Sequence, residues 1–181
     1  MPVHALAVSV SLADAWMQGT SALQPYHNDG VVQIGAAYRV SPRFALGGVG
    51  SFSPGTENDH QTWRLSGEGR AFAVTTRFVE IWGAGEVGFA ASRYVPNDMG
   101  VADCIVSGGC ATPSDQKRPH LAPLAGAGAG VDFLPLRYVS VGVEGRALMP
   151  YFLARAVDGG PQGFSPIFTL GLSLGGRLPL G

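Results

Sequence analysis

The sequence predicts an all-β protein, an eight-stranded antiparallel up-and-down transmembrane β-barrel, and three observations carry that expectation. Apolar and polar residues alternate with period two along eight segments, the links between segments are alternately short and long, and aromatic residues gather at both ends of the segments. Composition agrees. Charged residues make up only 14%, hydrophobic residues 46%, and mean hydropathy is +0.18. The 27 glycines are about twice the usual share, too many for long helices. A chain of 181 residues suffices for one closed barrel, so residues 1–181 are read as a single domain.

The eight expected strands run from Ala5 to Trp16, Val31 to Val40, Phe44 to Phe52, Trp63 to Thr75, Val79 to Tyr94, Leu121 to Phe133, Tyr138 to Phe152 and Pro166 to Leu178. Short links follow the second, fourth and sixth: "SPR" at Ser41, "TRF" at Thr76 and "LPLR" at Leu134. Long polar links follow the first, third, fifth and seventh, the longest being "VPNDMGVADCIVSGGCATPSDQKRPH". One end of the molecule is therefore expected to carry tight turns and the other loops, with both termini at the turn end.

The alternation assigns faces. In the second strand Val32, Ile34, Ala36, Tyr38 and Val40 share one side, and Gln33, Gly35, Ala37 and Arg39 the other. In the seventh, Val139, Val141, Val143, Ala147 and Met149 oppose Ser140, Gly142, Glu144 and Arg146; in the eighth, Phe168, Leu170, Leu172 and Leu174 oppose Thr169, Gly171, Ser173 and Arg177. Charges on these segments sit mid-strand beside Gly and Ser, which suits a polar lumen with an apolar exterior. A soluble barrel such as a lipocalin, with its apolar residues inside, would place them outside. Tyr38, Phe44, Phe78, Phe133 and Tyr138 fall at the turn end. Trp16, Phe52, Trp63, Tyr94, Tyr151, Phe152 and Phe168 fall toward the loop end, so two interfacial girdles are expected.

Several classes are set aside. A net charge of -1 and a pI near 6.4 give no basic footprint, so no nucleic-acid partner is expected. No apolar run reaches the roughly 18 to 20 residues of a membrane-spanning helix. The opening "MPVHALAVSV" has no basic segment ahead of an apolar one and is read as a mature chain with an added Met, or a truncated gene start.

Eight strands, short turns at one end, long loops at the other, polar lumen positions and aromatic girdles together resemble the OmpA-type and OmpX-type small outer-membrane β-barrels of Gram-negative bacteria. The final strand, "FTLGLSLGGRLPLG", departs from that pattern by lacking a terminal aromatic. The resemblance implies location in the bacterial outer membrane, contact with outer-membrane lipid and a monomer. It implies a membrane-anchored structural or surface-interaction role, with an extracellular partner at the long loops, and neither cofactor nor enzymatic activity. The alternative function is a small channel or transporter for small solutes or apolar molecules.

The charges sharpen the picture. "GEGR" and "GVEGR" place Glu68 with Arg70 and Glu144 with Arg146 near mid-height, level with Glu86. Facing lipid, each Arg would cost about 2 to 4 kcal/mol; facing inward they can pair. An eight-stranded lumen is just wide enough for side chains, so a closed plug formed by Glu68, Arg70, Glu86, Glu144 and Arg146 is expected. A gated polar path whose pairs exchange partners is the alternative. Gly126, Gly128 and Gly130 either make room for the charged side chains opposite or leave a cavity.

Cys104 and Cys110, in the longest link, are expected to form a disulfide. No metal site is expected, because two Cys with His120 ten residues on match no tight ligand spacing. His27, His60 and His120, beside Asp29, Asp59 and Asp115, show no nucleophile pattern and are read as ordinary loop residues.

Overall fold

A computed structural model describes residues 4–18, 25–54, 59–95, 120–152, 163–164 and 166–179. Nine strands form one antiparallel sheet: β1 Ala5–Gln18, β2 Pro25–Ser41, β3 Phe44–Ser53, β4 Asp59–Thr75, β5 Val79–Val95, β6 His120–Leu136, β7 Val139–Phe152, β8 Gly163–Phe164 and β9 Ile167–Pro179. Each long strand pairs with its sequence neighbours, and β1 pairs with β9 from Ala5↔Pro179 to Met17↔Ile167, which closes the barrel. Among the described residues the two-residue β8 pairs only with the end of β7, so eight long strands make the wall.

The strands extend further than the alternation alone suggests. β2 begins at Pro25 and β4 at Asp59, so part of the polar links "QPYHNDG" and "NDHQT" joins the sheet. Ladder hydrogen bonds carry these polar segments onward, because pairing depends on the neighbouring backbone. The β1–β2 register shifts between Ala13 and Ala15, with Gly30 at φ 83, the left-handed conformation that a bulge of this kind reserves for glycine. At the other end β6 runs on to Leu136, so the expected turn "LPLR" shrinks to Arg137 and Tyr138, and β7 starts at Val139. A register shift between Phe133 and Leu136 lets Leu134 donate its N–H to the carbonyl of Phe78 at 2.7 Å.

The remaining short turns are held by hydroxyls. Ser41 Oγ accepts from the N–H of Arg43 and Phe44, and Thr76 Oγ1 from the N–H of Phe78 and Val79. Each of the three turns then carries an Arg followed by an exposed aromatic: Arg43 and Phe44, Arg77 and Phe78, Arg137 and Tyr138.

The wall has two faces. Val32, Ile34, Tyr38 and Val40 of β2 point out, as do Val141, Val143 and Met149 of β7 and Phe168, Leu170, Leu172 and Leu174 of β9. Leu65 and Leu172 are 72% and 67% exposed, and the apolar band they belong to encircles the barrel. Such a surface greatly exceeds the few hundred Å² that a soluble monomer leaves in water, and it suits hydrocarbon. From Phe168 to Leu178, ten steps of about 3.3 Å at a tilt near 40° span about 25 Å, the height of such a band. Tyr38, Phe44, Phe78, Phe133 and Tyr138 are exposed at the turn end, and Phe52, Tyr151 and Phe168 at the loop end. The side chains of Trp16, Tyr94 and Phe152 lie outside the described residues.

A charge on the outer face should be costly. Leu172→Arg is expected to lower stability by about 2 to 4 kcal/mol, measured by urea unfolding in lipid vesicles.

Candidate functional site

Inside the barrel the side chains fall into three tiers. The middle tier is ionic. Glu68 on β4 and Glu86 on β5 are directly opposed cross-strand partners, and both are buried. Like charges in that position repel. Arg146 reaches across from β7 and separates them: its Nη1 donates to Glu68 Oε2 and, at 3.4 Å, to Glu86 Oε1. Its Nη2 donates to Glu144 Oε2 at 3.3 Å, and Glu144 Oε1 accepts from Ser11 Oγ at 2.7 Å. Arg70 donates through Nε to the other oxygen of Glu68.

Thus Glu68, Arg70, Glu86, Glu144 and Arg146 meet in one cluster. Sequence reasoning missed the residues that complete it. Arg64 lies 4.0 Å from Glu86 and donates to Gln33 Oε1 at 2.9 Å, while Ser66 Oγ donates to Glu86 Oε2 at 2.7 Å. The signal was present, since Arg64, Ser66, Glu68 and Arg70 share one parity on β4. Three carboxylates then face three guanidinium groups.

The glycines of β6 make this crowding feasible. A Cβ on Gly126 would lie 3.3 Å from Glu86 Cγ, one on Gly128 3.1 Å from Arg146 Cγ, and one on Gly130 2.5 Å from the Trp82 ring. They make room for large side chains of β5 and β7.

The tier toward the loops is apolar, formed by Ala13, Ala15, Val31, Leu124, Leu148 and Ile167. A void of about 30 Å³ beside Ser53, Thr62 and Arg64 is the size of about one water.

The tier toward the turns is a cavity of about 880 Å³, reaching from Arg77 and Tyr138 at the rim to Arg70 and Glu144 at its inner limit. Glu80, fully buried, receives Arg39 at 2.5 Å on one oxygen and Arg177 on the other. Arg39 also packs over the Phe72 ring at 4.1 Å. Trp82 donates its indole N–H to Asp132 Oδ2 at 3.1 Å, with the Arg70 guanidinium 4.3 Å from its ring. Arg39 and Arg177 were placed on the lumen face by the alternation; Glu80, Trp82 and Asp132 follow from the same parity on β5 and β6.

Cys104, Cys110 and Asp115 lie outside the described residues, as do the side chains of His27, His60, His120, Asp29 and Asp59. Among the described residues, no three His, Cys, Asp or Glu side chains group as metal ligands would.

No family profile matches the chain, and no curated protein sequence matches it. Solved structures do. Neisserial surface protein A superposes with a TM-score of 0.67 at 12% identity, over 97% of both chains. The attachment invasion locus protein Ail of Yersinia pestis gives 0.61 at 12% identity, over 97% of this chain and 99% of that one. The fold is that of the small eight-stranded outer-membrane β-barrels. The N-terminal β-barrel domain of Pseudomonas aeruginosa OprF gives 0.53 at 10% identity, over 94% and 97%. An outer-membrane barrel of this size has little lumen to spare, which accounts for the crowding of the middle tier.

Two variants test the middle tier. Arg146→Met leaves Glu68 facing Glu86 without its bridge and should cost about 3 to 5 kcal/mol in urea unfolding, with Glu86→Gln restoring part of the loss. Gly128→Leu forces a side chain against Arg146 and should cost about 1 to 3 kcal/mol by the same measurement.

Proposed function

We propose that the chain is an outer-membrane anchor whose lumen is closed by the Arg146 network, and that its role is structural or one of surface interaction. The apolar outer band and the structural neighbours, which are bacterial outer-membrane proteins, support that location. One observation carries the closed lumen. The 880 Å³ cavity and the 30 Å³ void share no lining residue, and the ion pairs lie between them.

Energetics favour a fixed plug. An arginine that moved away from Glu68 and Glu86 would leave two buried carboxylates side by side, a loss of several kcal/mol. The tightly packed tier above, with room for about one water, adds a layer that ions do not cross readily.

A role at the surface draws on the four long links, which all leave the barrel at the end opposite the short turns. Two of the neighbours are named for surface location and for attachment and invasion. By analogy, the loops of this chain would meet an extracellular partner, with the barrel as a monomeric anchor in outer-membrane lipid. The neighbours are barrel proteins rather than enzymes, and no catalytic role is proposed.

Transport through the lumen is the second reading, favoured by the cavity, which already opens half of a path from the turn end. Bilayer recording separates the two. The wild type is expected to show no conductance, and Arg146→Ala to show openings if the network is the seal. A steady wild-type conductance would make the channel reading the right one.

A further inference from the structure

The turn-end cavity contains polar groups that the ion-pair network leaves unused. Arg70 lines the cavity and, among the described residues, donates to the protein only through Nε, which leaves both of its Nη groups without a protein acceptor. Asp132 receives the Trp82 indole N–H on Oδ2, and its Oδ1, beside Gly142, accepts no hydrogen bond among the described residues. Both side chains flank the Trp82 indole and line the same cavity, yet they form no ion pair with each other. A fork of free donors and a free carboxylate oxygen therefore stand on two sides of one aromatic plate.

The charge balance narrows what could sit between them. Glu80 is shared by Arg39 and Arg177, and Asp132 supplies one further negative charge on the same wall. In the middle tier, Glu68, Glu86 and Glu144 match Arg64, Arg70 and Arg146. Arg70 and Asp132 thus offer one charge of each sign beside Trp82, and a ligand carrying a single charge would leave one of the two without a partner. A ligand carrying one charge of each sign would not.

We propose that the cavity binds a small zwitterion. Its acidic group is held by the two Nη groups of Arg70, and its primary ammonium by Asp132 Oδ1, across the face and edge of Trp82. The remaining wall includes Ala7, Ala37, Ala45 and Leu134, which accept an aliphatic portion. Arg77 and Arg137 at the mouth attract the acidic group on entry. The site is independent of whether the lumen conducts. Two sources share this chemistry: a free neutral α-amino acid, and the phosphoethanolamine headgroup of a phospholipid.

The test uses the refolded barrel in octyl glucoside micelles, a detergent without a zwitterionic head. The indole N–H resonance of Trp82, assigned by its loss in Trp82→Phe, is followed during titration with leucine, glycerophosphoethanolamine, acetate or ethylammonium. A saturable shift is expected with at least one zwitterion. Leucine alone identifies a free amino acid as the ligand, and glycerophosphoethanolamine alone identifies a headgroup. Acetate and ethylammonium should each bind about tenfold more weakly or worse, as should the best zwitterion to Asp132→Asn, from loss of one charge-assisted hydrogen bond. Asn keeps an acceptor for the Trp82 N–H, so the fold should persist. Arg70→Lys, which keeps a cation beside Glu68 but loses the fork, should weaken binding comparably. Absence of a saturable shift with both zwitterions overturns the proposal, as does unchanged affinity in Asp132→Asn or equal binding of the single-charge probes.

Discussion

Closure of the sheet by β1 and β9 is the constraint on which the rest of this structure depends. In hydrocarbon an unpaired backbone N–H or C=O costs several kcal/mol, so a membrane sheet has to close on itself. Closing eight tilted strands gives a lumen just wide enough for side chains. Strand residues in the membrane must then face either lipid or that narrow interior, and the mid-strand charges Glu68, Glu86, Glu144 and Arg146 are driven inward. The outer apolar band, the aromatic girdles and the inner ionic tier are three results of one closure.

Crowding inside that lumen decides the details. Glu68 and Glu86 are forced into direct opposition by the β4–β5 register, which would destabilise the pair if nothing intervened. Arg146 intervenes from β7, and its approach depends on Gly128, its partner on β6, having no side chain. The carboxylates, the bridging arginine and the glycine form one unit spread over three neighbouring hairpins. Removing any one member leaves the others strained or uncompensated, which supports the proposed closed lumen.

The lumen is nevertheless graded from end to end. Toward the loops it is packed and apolar around Leu124 and Leu148; toward the turns it opens into a cavity with Trp82 and Asp132 on its wall. A barrel used only as an anchor could have filled both ends with alanine and leucine. The retained charges Arg39, Glu80 and Arg177, clamped together near the mouth, keep the turn end polar while leaving its space open. The proposed anchoring and the proposed small-molecule binding are compatible, because they use different tiers.

The sequence by itself determined the strand number, the two faces and the end at which the short turns lie. All of these are local: period-two alternation and turn chemistry are written in consecutive residues. It also placed Glu68, Arg70, Glu86, Glu144 and Arg146 on lumen faces, since parity along a strand is fixed by covalent geometry. Strand ends were less legible. Pro25 and Asp59 join the sheet through a neighbour's backbone, and Leu134 to Leu136 extend β6 through a register shift that no pattern of side chains announces. Only the tertiary structure decided which charges meet. Arg146 binds carboxylates of β4 and β5 across the lumen, and Arg39 with Arg177 shares Glu80, pairs separated by 41 to 97 positions in the chain. Such partners depend on strand tilt and closure, which are properties of the whole barrel and are carried by no single strand.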